Sequence, residues 1–246
     1  MSGVRERELE YHEDLYSGFA QSHFARPAVR ALRAHMVRRI LAATGANKRS
    51  RVLSLGCGIG DTELLLAPHV GKVTGIDLSP QAIRQARADA RILGIRNARF
   101  EQGTRIEGRF DVVIAIFVLH HLPEAELNLL PHLLREQLAP GGVFYSLDPS
   151  RRRLSGAIGR LLVPKLMKRY QTDDERELEA EPTADLFRDA GWDARVTMYD
   201  FGSSPFAGLF PGLGAGYRVA RKLDDLILRV PAMRRLGSNF EVIARA

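Results

Sequence analysis

The sequence has little sulfur chemistry and no long apolar run. Cys57 is the only cysteine among the 246 residues, which excludes an internal disulfide and any site with several thiolate ligands, and fits a reducing compartment. The longest apolar run, residues 112–119, is far below the roughly 20 residues of a transmembrane helix. Residues 1–14 alternate Arg with Glu and lack the apolar segment of a signal peptide. We therefore expect a cytoplasmic chain that does not cross a membrane.

Aromatic residues are also few, at 7%, and no internal repeat or low-complexity segment is present. A hydrophobic content of 45% and a charged content of 26% are those of an ordinary globular protein. The length suits one α/β domain better than two enzyme domains. We expect a single domain over residues 1–246, with an N-terminal helical arm (1–45), a central core (46–150) and a C-terminal part of insertions and closing strands (151–246).

The net charge of +7 is unevenly distributed. Residues 1–50 carry +4, residues 51–150 carry −1 and residues 151–246 carry +4. A nearly neutral core flanked by basic segments suits contact with nucleic acid, anionic lipid or a phosphorylated substrate. The alternative is that these charges serve solubility alone.

Apolar periodicity alternates between the patterns of strand and helix along the chain. It predicts helices at 27–43, 61–69, 81–93, 124–138, 182–190 and 217–230, and strands at 51–55, 72–77, 98–102, 111–117, 143–148, 194–201 and 239–246. Repeated βα units of this kind predict an α/β fold with a Rossmann-like, doubly wound sheet. We expect this sheet to be mostly parallel, with an antiparallel last strand and helical insertions near the C-terminus.

Residues 51–61 combine a buried strand, a tight glycine turn and the start of a helix. Gly56 allows a sharp exit from the strand, Gly58 lets a ligand approach bare backbone, and Gly60 lies where the next helix packs close to the sheet. Asp61 and Thr62 can cap that helix, whose free N–H groups would face the ligand. The turn therefore predicts a binding loop.

Asp77 ends the second predicted strand, 21 residues after Gly56. A carboxylate at this place can accept hydrogen bonds from both hydroxyls of a ribose, which indicates a nucleoside ligand. The dinucleotide fingerprint requires a glycine where this chain has Asp61, and the third glycine comes one residue early, at Gly60. This spacing disfavours a hydride-transfer enzyme.

Over residues 50–150 the sequence resembles the class I S-adenosylmethionine-dependent methyltransferases, in particular those that act on small molecules or lipids. The resemblance is carried by the glycine turn (55–60), the second strand end (75–79), the fourth strand with its following turn (110–114 and 119–122) and the Pro-Gly-Gly turn (138–143). It implies S-adenosylmethionine as methyl donor. No spacing of His or carboxylates in the sequence suggests a metal site. The residues that the resemblance implies for donor binding are Ser54, Gly56, Cys57, Gly58, Gly60, Asp77, Leu78, Gly103, Thr104, Ile116 and Tyr16.

Two positions depart from the family pattern. The family has an acid near the methionine amino group where this chain has Ser54, and an acid that binds the adenine amino group where this chain has Thr104. Each replacement keeps a hydroxyl and loses a charge, which predicts reduced donor affinity.

Methyl transfer from a sulfonium needs alignment and exclusion of water, and needs a base only if the acceptor must lose a proton. His120 and His121 follow the fourth strand and Asp148 ends the fifth, so all three are candidate catalytic residues at the ligand-binding edge of the sheet. The alternatives are packing or helix capping. In relatives an N-terminal arm often folds over the donor, and here that arm carries Tyr11, His12, Tyr16 and His23.

The fourth strand end, residues 116–119, has neither the Asn-Pro-Pro-Tyr-like tetrad of DNA base methylation nor the acids of the metal-assisted branch. The segment 151–170 carries seven cations among apolar residues, a pattern that suits an anionic membrane or a phosphorylated head group, or else a solvated cap over the site. The helix at 217–230 puts five apolar residues on one face, which predicts a pocket wall or part of the core: Val219, Leu223, Leu226, Ile227 and Val230.

The favoured function is methyl transfer to a small-molecule or lipid-like acceptor, with a peripheral membrane contact and without nucleic acid as a partner. The alternatives are an RNA or protein methyltransferase, and a donor-binding regulatory protein without turnover.

Overall fold

The computed structural model describes residues 25–156 and 176–246. The N-terminal arm with Tyr11, His12, Tyr16 and His23, and most of the basic segment 151–170, lie outside the described residues. The prediction that they cover the donor or contact a membrane is therefore untested by the fold.

The centre of the fold is a seven-stranded sheet. Its strands are β1 (Arg51–Leu55), β2 (Lys72–Asp77), β3 (Ala98–Gln102), β4 (Phe110–Ile116), β5 (Leu138–Pro149), β6 (Asp193–Asp200) and β7 (Asn239–Arg245). The strand order is β3-β2-β1-β4-β5-β7-β6, with β7 antiparallel to both neighbours and the other pairs parallel. The predicted doubly wound sheet with an antiparallel last strand is confirmed.

The helices of the described residues are α1 (Pro27–Thr44), α2 (Asp61–Leu66), α3 (Pro80–Ile92), α4 (Glu124–Gln137), α5 (Ala180–Asp189), α6 (Ser203–Leu209), α7 (Gly214–Ile227) and α8 (Pro231–Arg234). Short 3₁₀ turns follow at Ala67–His69 and Leu119–His121. Most predicted bounds agree within a few residues. The fifth strand begins five residues earlier than predicted because Leu138 pairs with Phe110 across a register shift, and the short helix α6 was not predicted.

Hydrophobic layers cover both faces of the sheet. On one face α1 buries Met36 and Ile40 among strand residues such as Val52 and Val112. On the other, leucines of α4 pack with α5, where Phe187 stacks on Phe144 of β5 at 5.0 Å between ring centroids. Burial of these side chains, at roughly 25 cal/mol per Å² of apolar surface, is the main stabilising term. No helix of the described residues is both long and apolar enough to span a bilayer.

A buried carboxylate fixes α1 to the sheet. Glu241 of β7 is fully buried, accepts a 2.6 Å hydrogen bond from the Tyr145 hydroxyl and pairs with Arg39 of α1, whose Nε lies 3.0 Å from it. A buried charge that lacked such partners would cost several kcal/mol. The pairing therefore selects one seating of α1 on the sheet.

Helix α7 turns its apolar face to solvent. Val219, Leu223 and Leu226, with Val230 just beyond the helix end, do share one face, but each is at least half exposed. The prediction that this face walls a pocket or completes the core is therefore wrong.

The buried side of α7 carries charges instead, and hydrogen bonding gives the reason. Asp224 accepts the backbone N–H groups of Gly202 and Ser203 at the start of α6, each at 2.9 Å. Arg221 donates to the carbonyl of Tyr199 at the end of β6, at 2.8 Å. Buried backbone groups must find partners, and satisfying them outweighs burial of the leucines.

Candidate functional site

A cavity of about 600 Å³ opens where the strand order reverses, at the carboxyl ends of β1 and β4. In open α/β sheets this reversal is where ligands bind. The volume is in the range of small-molecule sites. Predicted donor-binding residues that line it are Gly56, Cys57, Gly58, Asp77, Leu78, Gly103, Thr104 and Ile116.

The glycine turn has the conformation that the sequence predicted. Gly56, Gly58 and Gly60 all have positive φ, at 60°, 52° and 76°. A Cβ on Gly60 would lie 2.7 Å from the ring of Phe100, so only glycine lets α2 approach the sheet this closely. Gly60 thus lies behind the cavity, where it allows the close packing of α2, and does not line the cavity itself.

Asp77 holds the glycine turn against the end of β2. Its Oδ2 accepts the N–H of Gly58 at 2.7 Å, and its Oδ1 accepts the N–H of Ser79 at 2.9 Å. Each carboxylate oxygen keeps a second lone pair. Asp77 can therefore accept hydroxyl hydrogen bonds from a ligand without releasing the turn.

Glu63, on the first turns of α2, is a second carboxylate in the cavity wall. It is only 2% exposed, and its Oε1 accepts a 2.6 Å hydrogen bond from the hydroxyl of Ser54. Burial raises the pKa of Glu63 to about 7, partly offset by the Ser54 hydrogen bond. Ser54 itself does not line the cavity, and it acts on the site by its hydrogen bond to Glu63.

The start of α2 differs in detail from the prediction. Asp61 accepts the N–H of Thr62 at 2.9 Å and forms a 2.8 Å ion pair with Arg33 of α1, while Gly60 is the N-cap without a side-chain bond. The carboxylate thus joins two helices at the cavity and does not act as a conventional cap.

Cys57 is buried within the turn, and burial raises the pKa of its thiol well above the usual range. A protonated, buried thiol is a poor nucleophile. Cys57 is therefore unsuited to act as a nucleophile at this site.

The candidate catalytic residues separate into two groups. His121 lines the cavity, whereas His120 and Asp148 are buried behind it. His120 Nδ1 lies 2.9 Å from Asp148 Oδ1, and the two histidine rings lie 4.0 Å apart between centroids. His121 is thus placed to meet a substrate, and the buried pair is placed to position the turn that carries it.

The part of the cavity wall formed by α4 and the end of β4 is mostly apolar. Phe117, which has a left-handed φ of 59°, and Val118 continue from β4, and three leucines of α4 follow at helical spacing: Leu129, Leu130 and Leu133. Leu129 and Leu133 are 56% and 40% exposed. A non-glycine residue with positive φ costs of order 1 kcal/mol or more and is common at functional sites.

Sequence reasoning missed Glu63, Phe117 and the leucines of α4. Glu63 carries no motif, and its only signal is a charged residue facing inward on a short helix after a glycine turn. The sequence did contain a signal for the exposed leucines, because α4 has more leucines than one buried helix face can hold. Tyr16 lies outside the described residues, and Thr104 lines the cavity from an exposed position.

The strand order, the antiparallel seventh strand and the glycine turn facing the cavity define a class I S-adenosylmethionine-dependent methyltransferase fold. Residues 52–142 match the methyltransferase domain family, which agrees with the class that the sequence resembles over this stretch. The solved complex of DhpI with S-adenosylhomocysteine has the same fold, with a TM-score of 0.64 at 18% identity, covering 100% of this chain and 98% of the other.

Two curated relatives are similar in sequence to part of this chain. An uncharacterised methyltransferase of Synechocystis is 32% identical over 106 residues, which is 41% of this chain and 48% of the relative. The mitochondrial ubiquinone biosynthesis O-methyltransferase of Schizosaccharomyces pombe is 25% identical over 162 residues, covering 61% and 58%. The chain thus spans less than two thirds of the length of either relative.

Proposed function

We propose that this protein transfers the methyl group of S-adenosylmethionine to a small-molecule or lipid-like acceptor. The observation that carries the proposal is the composition of the cavity. The part around the glycine turn has three carboxylates, Asp61, Glu63 and Asp77, and the other part has His121 beside a mostly apolar wall. A polar donor part next to an apolar acceptor part is what such a transfer requires.

The residues present fit the donor. Asp77 would hold the ribose hydroxyls, and the turn at Gly56 and Gly58 leaves room for close approach to backbone. Glu63 is only 2% exposed, yet its Oε2 has no hydrogen-bond partner among the described residues. Such an unpaired buried oxygen is costly in the free protein, and a polar ligand group would satisfy it.

When bound, S-adenosylmethionine supplies an electrophilic methyl group on a sulfonium. The chain aligns the acceptor and excludes water, since Phe117, Val118 and the leucines of α4 form an apolar wall. Where the acceptor must lose a proton, His121 is placed in the cavity to take it. The buried pair His120 and Asp148 would fix the turn that carries His121.

The apolar rim supports an amphiphilic acceptor. Leu129 and Leu133 remain partly exposed beside the cavity, where an alkyl or prenyl chain would cover them. The relative from Schizosaccharomyces pombe is named for ubiquinone biosynthesis, which is consistent with a phenol that carries an apolar tail.

The test is a methylation assay with radiolabelled donor on hydroxylated aromatic compounds with and without a prenyl tail. We expect product with the tailed compounds, and we expect Leu129→Ser with Leu133→Ser to raise KM for them without changing donor affinity. Donor binding without product on any acceptor class would favour the regulatory alternative. No donor binding at millimolar concentration would overturn the proposal.

The net charge of +7 favours one alternative, methylation of RNA or of a protein. RNA affinity carried by phosphate contacts falls steeply with salt. Titration with structured RNA at two salt concentrations distinguishes the classes: tight, salt-sensitive binding together with RNA methylation would support the alternative.

We propose also that the protein contacts an anionic membrane through the exposed stripe of α7, defined as Val219, Leu223, Leu226 and Val230. Five exposed cations lie near this stripe in the sequence: Arg218, Lys222, Arg229, Arg234 and Arg235. Apolar residues between cations suit the head-group region of an anionic bilayer, each cation contributing roughly 1 kcal/mol. This surface is additional to the basic segment 151–170.

Co-sedimentation with phosphatidylglycerol and phosphatidylcholine vesicles tests the contact. We expect binding to the anionic vesicles only, and loss of binding in Leu223→Glu with Leu226→Glu. Ile92→Glu, a matched control on the exposed end of α3, should bind as the wild type does. Equal binding by the α7 variant would contradict this surface, and loss on neutralising Lys165 and Lys168 alone would assign the contact to the basic segment.

A further inference from the structure

Glu63 is a buried carboxylate for which the fold supplies only half of the expected partners. Its Oε1 accepts the Ser54 hydroxyl at 2.6 Å, and its Oε2 lacks a hydrogen-bond partner among the described residues. The side chain is 2% exposed and lines the cavity. Ionised carboxylates are rarely buried unless they are paired, so this geometry indicates a missing cationic or donor group from a ligand.

We propose that Glu63 binds the ammonium group of the donor's amino-acid part, in place of the acid that the family carries at the position of Ser54. This inference rests on the proposed function. The carboxylate then stands on helix α2 and not on strand β1, and the hydroxyl of Ser54 donates the hydrogen bond that orients it. The loss of charge at Ser54 is thus compensated within the same site.

The charged neighbours of Glu63 do not neutralise it. Asp61, on the same helix, is a second carboxylate that raises the pKa of Glu63, and Arg33 of α1 lowers it more weakly. Arg33 is itself engaged with Asp61 at 2.8 Å. The remaining neighbours that face it are the hydroxyl of Ser54 and the buried thiol of Cys57, whose pKa Glu63 raises.

A proton therefore accompanies binding. With a pKa of about 7, Glu63 is substantially protonated in the free protein at and below neutral pH. An ammonium beside it favours the ionised carboxylate, so donor binding expels the proton to solvent and strengthens as the pH rises through 7. A carboxylate with a purely structural role would not link proton release to the donor.

The experiment compares three ligands by calorimetry with wild type and Glu63→Gln. S-adenosylmethionine has both the ammonium and the sulfonium, S-adenosylhomocysteine keeps only the ammonium, and 5′-methylthioadenosine has neither. We expect Glu63→Gln to weaken the first two by about 10- to 100-fold, the value of a hydrogen bond to a charged group, and to leave the third unchanged. Glu181→Gln, an exposed residue with the same change of net charge, is the matched control.

Proton release is measured in the same titrations with buffers of different ionisation enthalpy. The wild type should release more protons per donor at pH 6 than at pH 8, and Glu63→Gln should release none. Ser54→Ala, which keeps the carboxylate but removes its orienting hydroxyl, should shift the release to higher pH. Thermal unfolding verifies that each variant is folded.

Each outcome decides the assignment. Equal weakening of all three ligands would show a structural role, and weakening of S-adenosylmethionine alone would assign Glu63 to the sulfonium; either overturns the ammonium assignment. Unchanged binding in Glu63→Gln overturns this assignment alone. A wild type that binds none of the three overturns the proposed function and this inference with it.

Discussion

The hydroxyl of Ser54 donates a 2.6 Å hydrogen bond to Glu63, and both side chains are buried next to the glycine turn. The bond joins the end of β1 to the start of α2, the two elements between which the turn lies. It therefore couples the conformation of the turn to the protonation of one carboxyl group.

Glu63 should lower the free energy of unfolding as the pH rises. Because its pKa is about 7 in the fold and near 4.5 when unfolded, the folded chain binds more protons between these values and loses stability as the pH rises through them. Glu63→Gln should be more stable than the wild type by up to about 3 kcal/mol at pH 8 and nearly equal at pH 4. Urea unfolding at both pH values measures this, and a difference independent of pH would contradict it.

Asp77→Ala should abolish donor binding while the chain still folds. The substitution removes the acceptor for the ribose hydroxyls and leaves the N–H of Gly58 without its partner, at a cost of about 1–3 kcal/mol in stability. Calorimetry with S-adenosylmethionine and thermal unfolding measure the two effects. Full donor affinity in this variant would refute the ribose assignment.

His121→Ala should lower kcat by about 10²- to 10⁴-fold if it is the base, without changing donor affinity. Asp148→Asn should act more weakly, since Asp148 bonds His120 and does not line the cavity. Turnover at saturating donor measures both. Equal turnover in wild type and His121→Ala would leave His121 with a packing role.

Asp224→Ala should destabilise the fold by about 3 kcal/mol or more, because it leaves the buried N–H groups of Gly202 and Ser203 at the start of α6 without their acceptor. Asp225→Ala is the neighbouring control. Asp225 is exposed and should cost less than about 1 kcal/mol, even though it pairs with Arg221 at 2.6 Å. Chemical unfolding of the two variants gives the comparison, and similar losses would contradict the capping role.

Local patterns predicted most of the sheet. The bounds of β1 and β2 agree with the structure because each is a short, largely apolar run that ends at Gly56 or Asp77, and such signals are confined to a few neighbouring residues. The turn at Gly56, Gly58 and Gly60 was predictable for the same reason, since glycine adopts positive φ without a steric cost.

The orientation of α7 was not predictable from its periodicity. An apolar stripe predicts burial of a helix face only when no polar residue of the same helix is needed as a partner for buried backbone groups. Here Asp224 and Arg221 are drawn inward by backbone groups of Gly202, Ser203 and Tyr199 that are distant in sequence. A helical pattern carries no information on such partners.

The sequence by itself determined the class of fold and the donor loop, since strand periodicity, the glycines and Asp77 act through neighbours along the chain. Only the tertiary structure decided which charged groups face the cavity. It brought Glu63 against Ser54, placed His121 in the wall with His120 and Asp148 behind it, and turned the apolar stripe of α7 outward. The physical reason is that burial and hydrogen bonding of a charged side chain depend on residues from other elements, which only the packed fold brings together.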